Sequence, residues 1–235
     1  MAKEHENKGL DLIEDPEALA EQINKSEEFV KKNKTVIGGA VAVVALAIVA
    51  IAYFSSTSGE KEFEAQLELY PTQHYFDQDS LDAVINGSNG ASGALDVAEE
   101  YSGTKAGNLA NFYAGVAFLK KGEYDQAIES LKKFKSSDLL IQARAYSLVG
   151  DAYMEKNELA NAIEFYQKAV DYKQNESYTP RYMLKLALAQ ELNNQLAEAV
   201  KTYETLEKEF PKSTEVTNAK KNKAKVKAQL LVSQG

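Results

Sequence analysis

His5 and His74 are the two histidines of this chain, and it contains no cysteine. Without thiols there can be no disulfides, no thiolate zinc or iron–sulfur sites and no cysteine nucleophile. Any metal site or general base would have to rest on those two imidazoles and on carboxylates. The two histidines lie on opposite sides of a long apolar run, which separates them if that run crosses a membrane. The segment "NGSNGASG" (86–93) has the glycines of a phosphate loop but neither the Gly-Lys-Ser/Thr ending nor the strand–turn–helix setting that such loops need. It also lacks the Gly-x-Ser-x-Gly elbow of a serine hydrolase. "SGTKAGN" (102–108) places Lys105 between glycines and reads as a turn between two helices. Asn86-Gly87-Ser88 and Asn175-Glu176-Ser177 are glycosylation sequons only in a host with that machinery. No catalytic set, no metal site and no cofactor is expected, and the chain does not read as an enzyme.

The elements that carry or flank these residues are helices, with 86–93 a loop between two of them. The 235 residues have a net charge of −8, unevenly spread. Residues 60–100 hold ten acids against Lys61 alone, whereas residues 216–235 hold five lysines and no acid. Nucleic acid is not an expected partner, because phosphate binding needs clustered Lys and Arg on a basic surface.

From Thr35 to Gly59 there is no charged residue. The 20 residues 35–54 would span roughly 30 Å as a helix, the thickness of a bilayer's hydrocarbon core. Ten of them are Val, Ile, Leu or Phe. Their transfer favours insertion by roughly 3 to 6 kcal/mol. The run is apolar on every side, unlike a helix at the edge of a soluble core. Ala50-Ile51-Ala52 resembles a signal cleavage site, but a leader of 34 residues with nine acids does not resemble a signal peptide. Residues 35–54 are therefore expected to be an uncleaved transmembrane helix, with Tyr53 and Phe54 at its interface end. Lys25, Lys31, Lys32 and Lys34 precede it and only Lys61 follows closely, which puts residues 1–34 in the cytoplasm and residues 55–235 across the membrane. Gly38 and Ala42 form a small-xxx-small pair that could meet another membrane helix. In the leader, Asp15-Pro16-Glu17 reads as a helix start, with Leu19, Ile23, Phe29 and Val30 leaning to one side. A short amphipathic helix and a frayed polar segment are both open readings there.

Behind this run the chain repeats itself. Gly115, Gly150 and Ala187 are followed twelve residues later by Ala127, Ala162 and Ala199, and four further on by Leu131, Tyr166 and Tyr203. Gly122, Asn157 and Asn194 fall in register between them, where a left-handed residue would close a helix. Tyr124, Leu159 and Leu196 follow two residues later. Small residues at these places let two antiparallel helices approach closely. The pattern resembles the tetratricopeptide repeat over residues 108–213, with its best copy in "AYSLVGDAYMEKNELANAIEFYQKAV". Gln190 stands where an aromatic is expected. Residues 55–107 read as a degenerate first unit with Phe63, Leu67, Tyr70 and His74 at helical spacing, and Pro71 suggests a kink or a restart. Residues 214–235, with Val216, Ala219, Val226 and Leu230 in a stripe and lysines around it, read as a capping helix. The expected fold is all-α: one transmembrane helix, then an α-solenoid of three repeats and a cap.

That resemblance implies a concave face lined by the first helix of each pair. By register it would carry Phe112, Val116, Leu119, Ser147, Asp151, Met154, Arg181, Leu184, Leu188 and Glu191. Some tetratricopeptide domains grip chaperone carboxylates with Lys and Asn side chains. Arg181 and Lys185 occupy two such places, but Phe112, Val116 and Leu148 stand at the others, so a mixed apolar and polar groove is expected instead. The whole layout, a lysine-rich leader ending in "EEFVKKNK", one membrane helix and a repeat domain beyond it, looks like the YfgM family. Its residue-level likeness begins at Ser102, in "EEYSGTKAGNLANFYAGVAFLKKGEYDQAIESL". That resemblance implies a single-pass protein of the bacterial inner membrane, with its C-terminal domain in the periplasm. It further implies an ancillary subunit of the Sec translocon whose partners are translocon subunits, periplasmic chaperones or client chains. A tethered scaffold for envelope assembly or cell division is the competing reading.

Overall fold

The computed structural model describes residues 29–233 together with Ala20 and Ser26, and at Val41, 50–56 and Ser233 it describes the backbone alone. Asp15-Pro16-Glu17, Leu19 and Ile23, and the side chains of Tyr53 and Phe54, lie outside the described residues. The chain divides after Ser58 into two compact units.

Most of the described part of the first unit belongs to α1 (Lys34–Asp77), a helix of 44 residues. Within it Val36, Val43, Val44, Leu46, Ile48 and Val49 are each more than half exposed, and Phe29 and Val30 before it are 64% and 50% exposed. Gly38 and Ala42 are exposed too, and a Cβ at Gly38 would meet nothing. Among the described residues no helix is long and apolar enough to cross a membrane, the side chains of 50–56 standing outside that description.

The second unit begins with the last turns of α1 and continues through α2 (Leu81–Asn86) and α3 (Ala94–Glu100). Three antiparallel pairs follow. They are α4 (Lys105–Lys121) with α5 (Tyr124–Lys133), α6 (Ile141–Glu155) with α7 (Leu159–Asp171), and α8 (Thr179–Leu192) with α9 (Leu196–Glu209). A last helix, α10 (Glu215–Ser233), packs on α8 and α9.

The left-handed residues sit where the spacing predicts them. Gly122, Asn157 and Asn194 have φ of 79°, 57° and 58°. After each, the next amide reaches back to close the helix: Glu123 N to Phe118 O at 2.9 Å, Glu158 N to Tyr153 O at 2.8 Å and Gln195 N to Gln190 O at 2.8 Å. These closures satisfy carbonyls that a helix end would otherwise leave without a donor.

The same device occurs once more upstream. Asp79 has φ 57°, and Ser80 N bonds Tyr75 O at 2.9 Å. Counting back from Asp79 as from Gly122 places Thr72 at the position of Gly115, and counting forward places Val84 at that of Ala127. Both Thr72 and Val84 are fully buried. The end of α1 and α2 thus form the degenerate first unit, with its second helix cut short by the loop that leads into α3.

Pro71 does not restart the chain, since the helix runs through it to Asp77. The proline withholds one amide from the ladder, and the buried neighbours Ala65, Leu69 and Thr72 hold the segment against the rest of the unit. Phe63, Leu67, Tyr70 and His74 lie on this helix and are exposed, while the small residues Ala65 and Thr72 are the ones buried against the rest of the unit.

Close packing of the pairs also follows from small residues. A Cβ at Gly150 would lie 2.6 Å from Cδ1 and Cε1 of Tyr166, and one at Gly115 would lie 2.5 Å from Cγ of Leu131. Gln190 replaces an aromatic without leaving a buried amide oxygen unpaired. It is 8% exposed, and the Thr202 hydroxyl donates to its Oε1 at 2.8 Å. The second pair fills the same place with the rings of Tyr153 and Phe165, 5.6 Å apart. On α10, Val216, Ala219 and Val226 are buried as expected of a cap. Its lysines are less purely solvated than the sequence suggests. Lys223, Lys225 and Lys227 reach Glu207, Glu191 and Glu204 at 2.8, 2.6 and 2.7 Å.

Candidate functional site

The ten residues expected to line one groove are divided among three environments. On α4, Phe112 and Val116 are buried at 7% and 5%, in a cluster with Ile128, Leu131, Phe134 and Phe165. The ring of Phe112 stands 5.2 Å from that of Phe134. Leu119 is half-buried between two clusters. These positions join α4 to α5 and α6, so Phe112 and Val116 offer no open surface. Phe134, which follows α5 and lies outside the repeat register of α4, packs against the ring.

On α6 and α8 the structure brings polar residues together. Ser147 is buried at 3%. The Lys185 ammonium lies 2.7 Å from both carboxylate oxygens of Asp151 and 3.3 Å from the Ser147 hydroxyl. The Tyr166 hydroxyl of α7 donates to Asp151 Oδ1 at 2.6 Å. Burial, and then the Asp151 charge, push the Tyr166 hydroxyl's pKa far up, so it remains a donor. This network spends the charge of Asp151 and Lys185 on each other. Lys185, read beside Arg181 at a clamp position, is instead bound to Asp151 on the neighbouring helix.

The remaining residues lie toward the capping helix. Met154 and Leu184 are half-buried against the cluster shared by α8, α9 and α10. Arg181 is exposed, with Nε 3.8 Å from Glu215, and Glu191 is held by Lys225. Leu188 is 43% exposed and Leu192, not anticipated, 56%. The open part of the candidate surface is therefore the outer side of α8, an apolar strip beside an arginine.

A cleft of about 910 Å³ lies between α3, α4 and α5, lined by Leu95, Asn111, Phe118, Glu129 and Lys133 among others. Among the described residues no group of three His, Asp or Glu side chains is placed to hold a metal. His74 is exposed and paired with Gln78 at 2.9 Å.

Two models of the tetratricopeptide repeat match the chain, over residues 114–179 and 181–213. No curated protein matches it. Among solved structures, the nearly identical TPR-like repeats of a kinesin light chain candidate from Podospora anserina align with a TM-score of 0.50 and 16% identity, over 75% of this chain and 93% of that one. That likeness is one of fold. Residues 114–179 and 181–213 are tetratricopeptide repeats, a type of helix pair that serves protein–protein interaction.

Proposed function

We propose that this chain is a non-enzymatic interaction module tethered to the bacterial inner membrane. In this reading residues 35–54 anchor it, residues 1–34 face the cytoplasm, and the repeats in the periplasm link emerging proteins to chaperones as an ancillary part of the Sec translocon. The observation that carries the tether is the uncharged run with its four-to-one lysine bias, which favours insertion in that orientation. The repeats supply the interaction surface. The translocon assignment rests on the resemblance in layout to the YfgM family.

Photocrosslinking from Gly38 and Ala42 in intact membranes tests it. Translocon subunits among the products support the assignment. Recovery of envelope-assembly or division proteins in their place supports a tethered scaffold and removes the translocon role.

A further inference from the structure

Of the 27 basic side chains in this chain only two are arginines, Arg144 and Arg181. They sit on neighbouring first helices, α6 and α8. The tie between those helices sets them side by side. Lys185 meets Asp151 at 2.7 Å and reaches the Ser147 hydroxyl at 3.3 Å. Arg181 lies four residues before Lys185 and Arg144 three before Ser147, so each stands about one turn nearer its helix start. Both arginines are exposed. Among the described residues Arg144 has no carboxylate partner, and Arg181 has only Glu215, 3.8 Å from its Nε. Beside them is a donor without an acceptor. Tyr182 is 4% exposed, yet its hydroxyl makes no hydrogen bond among the described residues. Burial raises its pKa, and the charges of Arg144 and Arg181 act against that rise. The hydroxyl therefore keeps its proton and lies in the field of both arginines. Leaving a buried donor unpaired is costly, and an anion held by the arginines would supply the acceptor.

We infer that Arg144, Arg181 and Tyr182 receive side-chain carboxylates from an extended acidic segment of a partner protein. A guanidinium offers a planar fork of donors that matches a carboxylate, which lysine, the usual cation of this chain, does not. Arg144, Arg181 and Lys185 against Asp151 and Glu215 leave one positive charge in excess, in a chain of net charge −8. A phosphate-rich ligand such as nucleic acid needs a denser basic surface.

About one turn before each arginine stands an exposed apolar residue, Leu140 at 39% and Tyr178 at 37%. That pattern suits a segment in which acids alternate with large apolar side chains. A terminal carboxylate fits less well. Lys185, at one clamp position, is already bound to Asp151, and Phe112 and Val116, at two others, are buried. The site rests on the interaction-module reading but not on the membrane or translocon assignment.

Fluorescence anisotropy tests it, with the purified full-length chain and a labelled peptide of alternating Glu and Leu, blocked at both ends so that no terminal carboxylate is present. The parent chain is expected to bind this peptide at least about tenfold more tightly than the same peptide with Gln for Glu, the order that charge-assisted hydrogen bonds supply. Arg144→Gln with Arg181→Gln should lose about tenfold for the same reason. Lys220→Gln with Lys221→Gln removes equal charge from exposed positions on α10 and should lose less than about twofold, as distant exposed charges are screened. Tyr182→Phe keeps the packed ring and removes only the unpaired hydroxyl, so Tm should hold while binding weakens severalfold. A hydroxyl with a purely structural role would move Tm instead. Four results overturn the site: equal affinity for the Glu and Gln peptides, equal losses for the arginine and lysine pairs, parent-like binding by Tyr182→Phe, or displacement of the peptide by inorganic phosphate at the peptide's own concentration. Partner capture through Leu188 and Leu192 without peptide binding removes this site and leaves the interaction module standing. Peptide binding without translocon crosslinks from Gly38 and Ala42 keeps the site and removes the translocon role.

Discussion

Lys185 and Asp151 meet at 2.7 Å through both carboxylate oxygens, which ties the first helix of the third pair to that of the second. The pair is about a third exposed on its lysine side, so the ion pair alone contributes little. The buried hydroxyl of Tyr166, which donates to the same carboxylate, is the more costly group to abandon. Asp151→Ala should therefore destabilise by about 1 to 3 kcal/mol, the cost of leaving a buried donor unpaired. In a unit of this size that is a fall of roughly 2 to 4 °C in Tm per kcal/mol. Asp151→Asn keeps an acceptor for the hydroxyl and should lose less. Equal losses in thermal melts of the two variants would mean that the charge, not the hydroxyl, carries the effect.

Gly150 tests the register of the repeats. Its missing Cβ is filled by the body of the Tyr166 ring, which is pinned at its far end by Asp151. Gly150→Leu should cost at least the ~1 to 3 kcal/mol of ordinary overpacking. Gly150→Ala should cost less, because the helix gains about 1 kcal/mol from the exchange of Gly for Ala. The third pair already carries Ala187 at the equivalent place, opposite the buried Tyr203, so the packing can be reshaped around a methyl group. An unchanged Tm for Gly150→Leu would refute the assignment of Gly150 to the helix contact.

The repeats were legible because their signals are local: a small residue, a left-handed residue and a helix start at fixed offsets. Gly122, Asn157 and Asn194 needed only their own backbone preference to be placed. The upstream copy was legible as a degenerate unit but not in register, since Thr72 and Asp79 do the work of glycine and asparagine, and tertiary burial decides that they can. The groove was less legible. Offsets along a helix tell which residues share a face, but not whether a residue beyond the next helix, such as Phe134, folds over that face. The packing side of α1 was not legible for the related reason that two faces of one helix were both suitable, and Ala65 with Thr72 allowed the closer approach.

A pH effect is expected at the start of α6. The Asp138 carboxylate accepts from the amides of Ile141 and Leu140 at 3.0 and 2.8 Å, and those bonds hold its pKa below the ordinary carboxylate value. A depressed pKa in the folded state gives stability that is present above the unfolded value of ~3.9 and lost as pH falls through the folded one. Asp138→Asn removes that dependence. Its stability deficit against the parent chain should be steady near neutral pH and shrink below about pH 4. Denaturant midpoints across that range measure it, and a deficit that persists at low pH would show that the carboxylate's charge is not the cause.

The interaction surface itself is tested by separating exposed from buried members of the expected groove. Phe112 is enclosed by Phe134 and its neighbours, so Phe112→Glu should reduce helicity and partner capture together. Burying a charge without a counter-ion is among the most damaging core changes. Leu188 and Leu192 are open, and Leu188→Glu with Leu192→Glu should leave helicity and Tm near those of the parent. If partners bind the outer side of α8, that double variant should lower their capture by the full-length chain in membranes. Each apolar side chain buried at a contact is worth about 1.5 to 3 kcal/mol, so the loss should be tenfold or more in affinity. Arg181→Ala should weaken capture less, and its effect should fade with added salt, because the guanidinium is exposed and exposed charges are screened over a Debye length of ~8 Å at physiological ionic strength. Normal capture by the well-folded double variant would exclude the α8 face and direct attention to the cleft between α3, α4 and α5 as the binding surface.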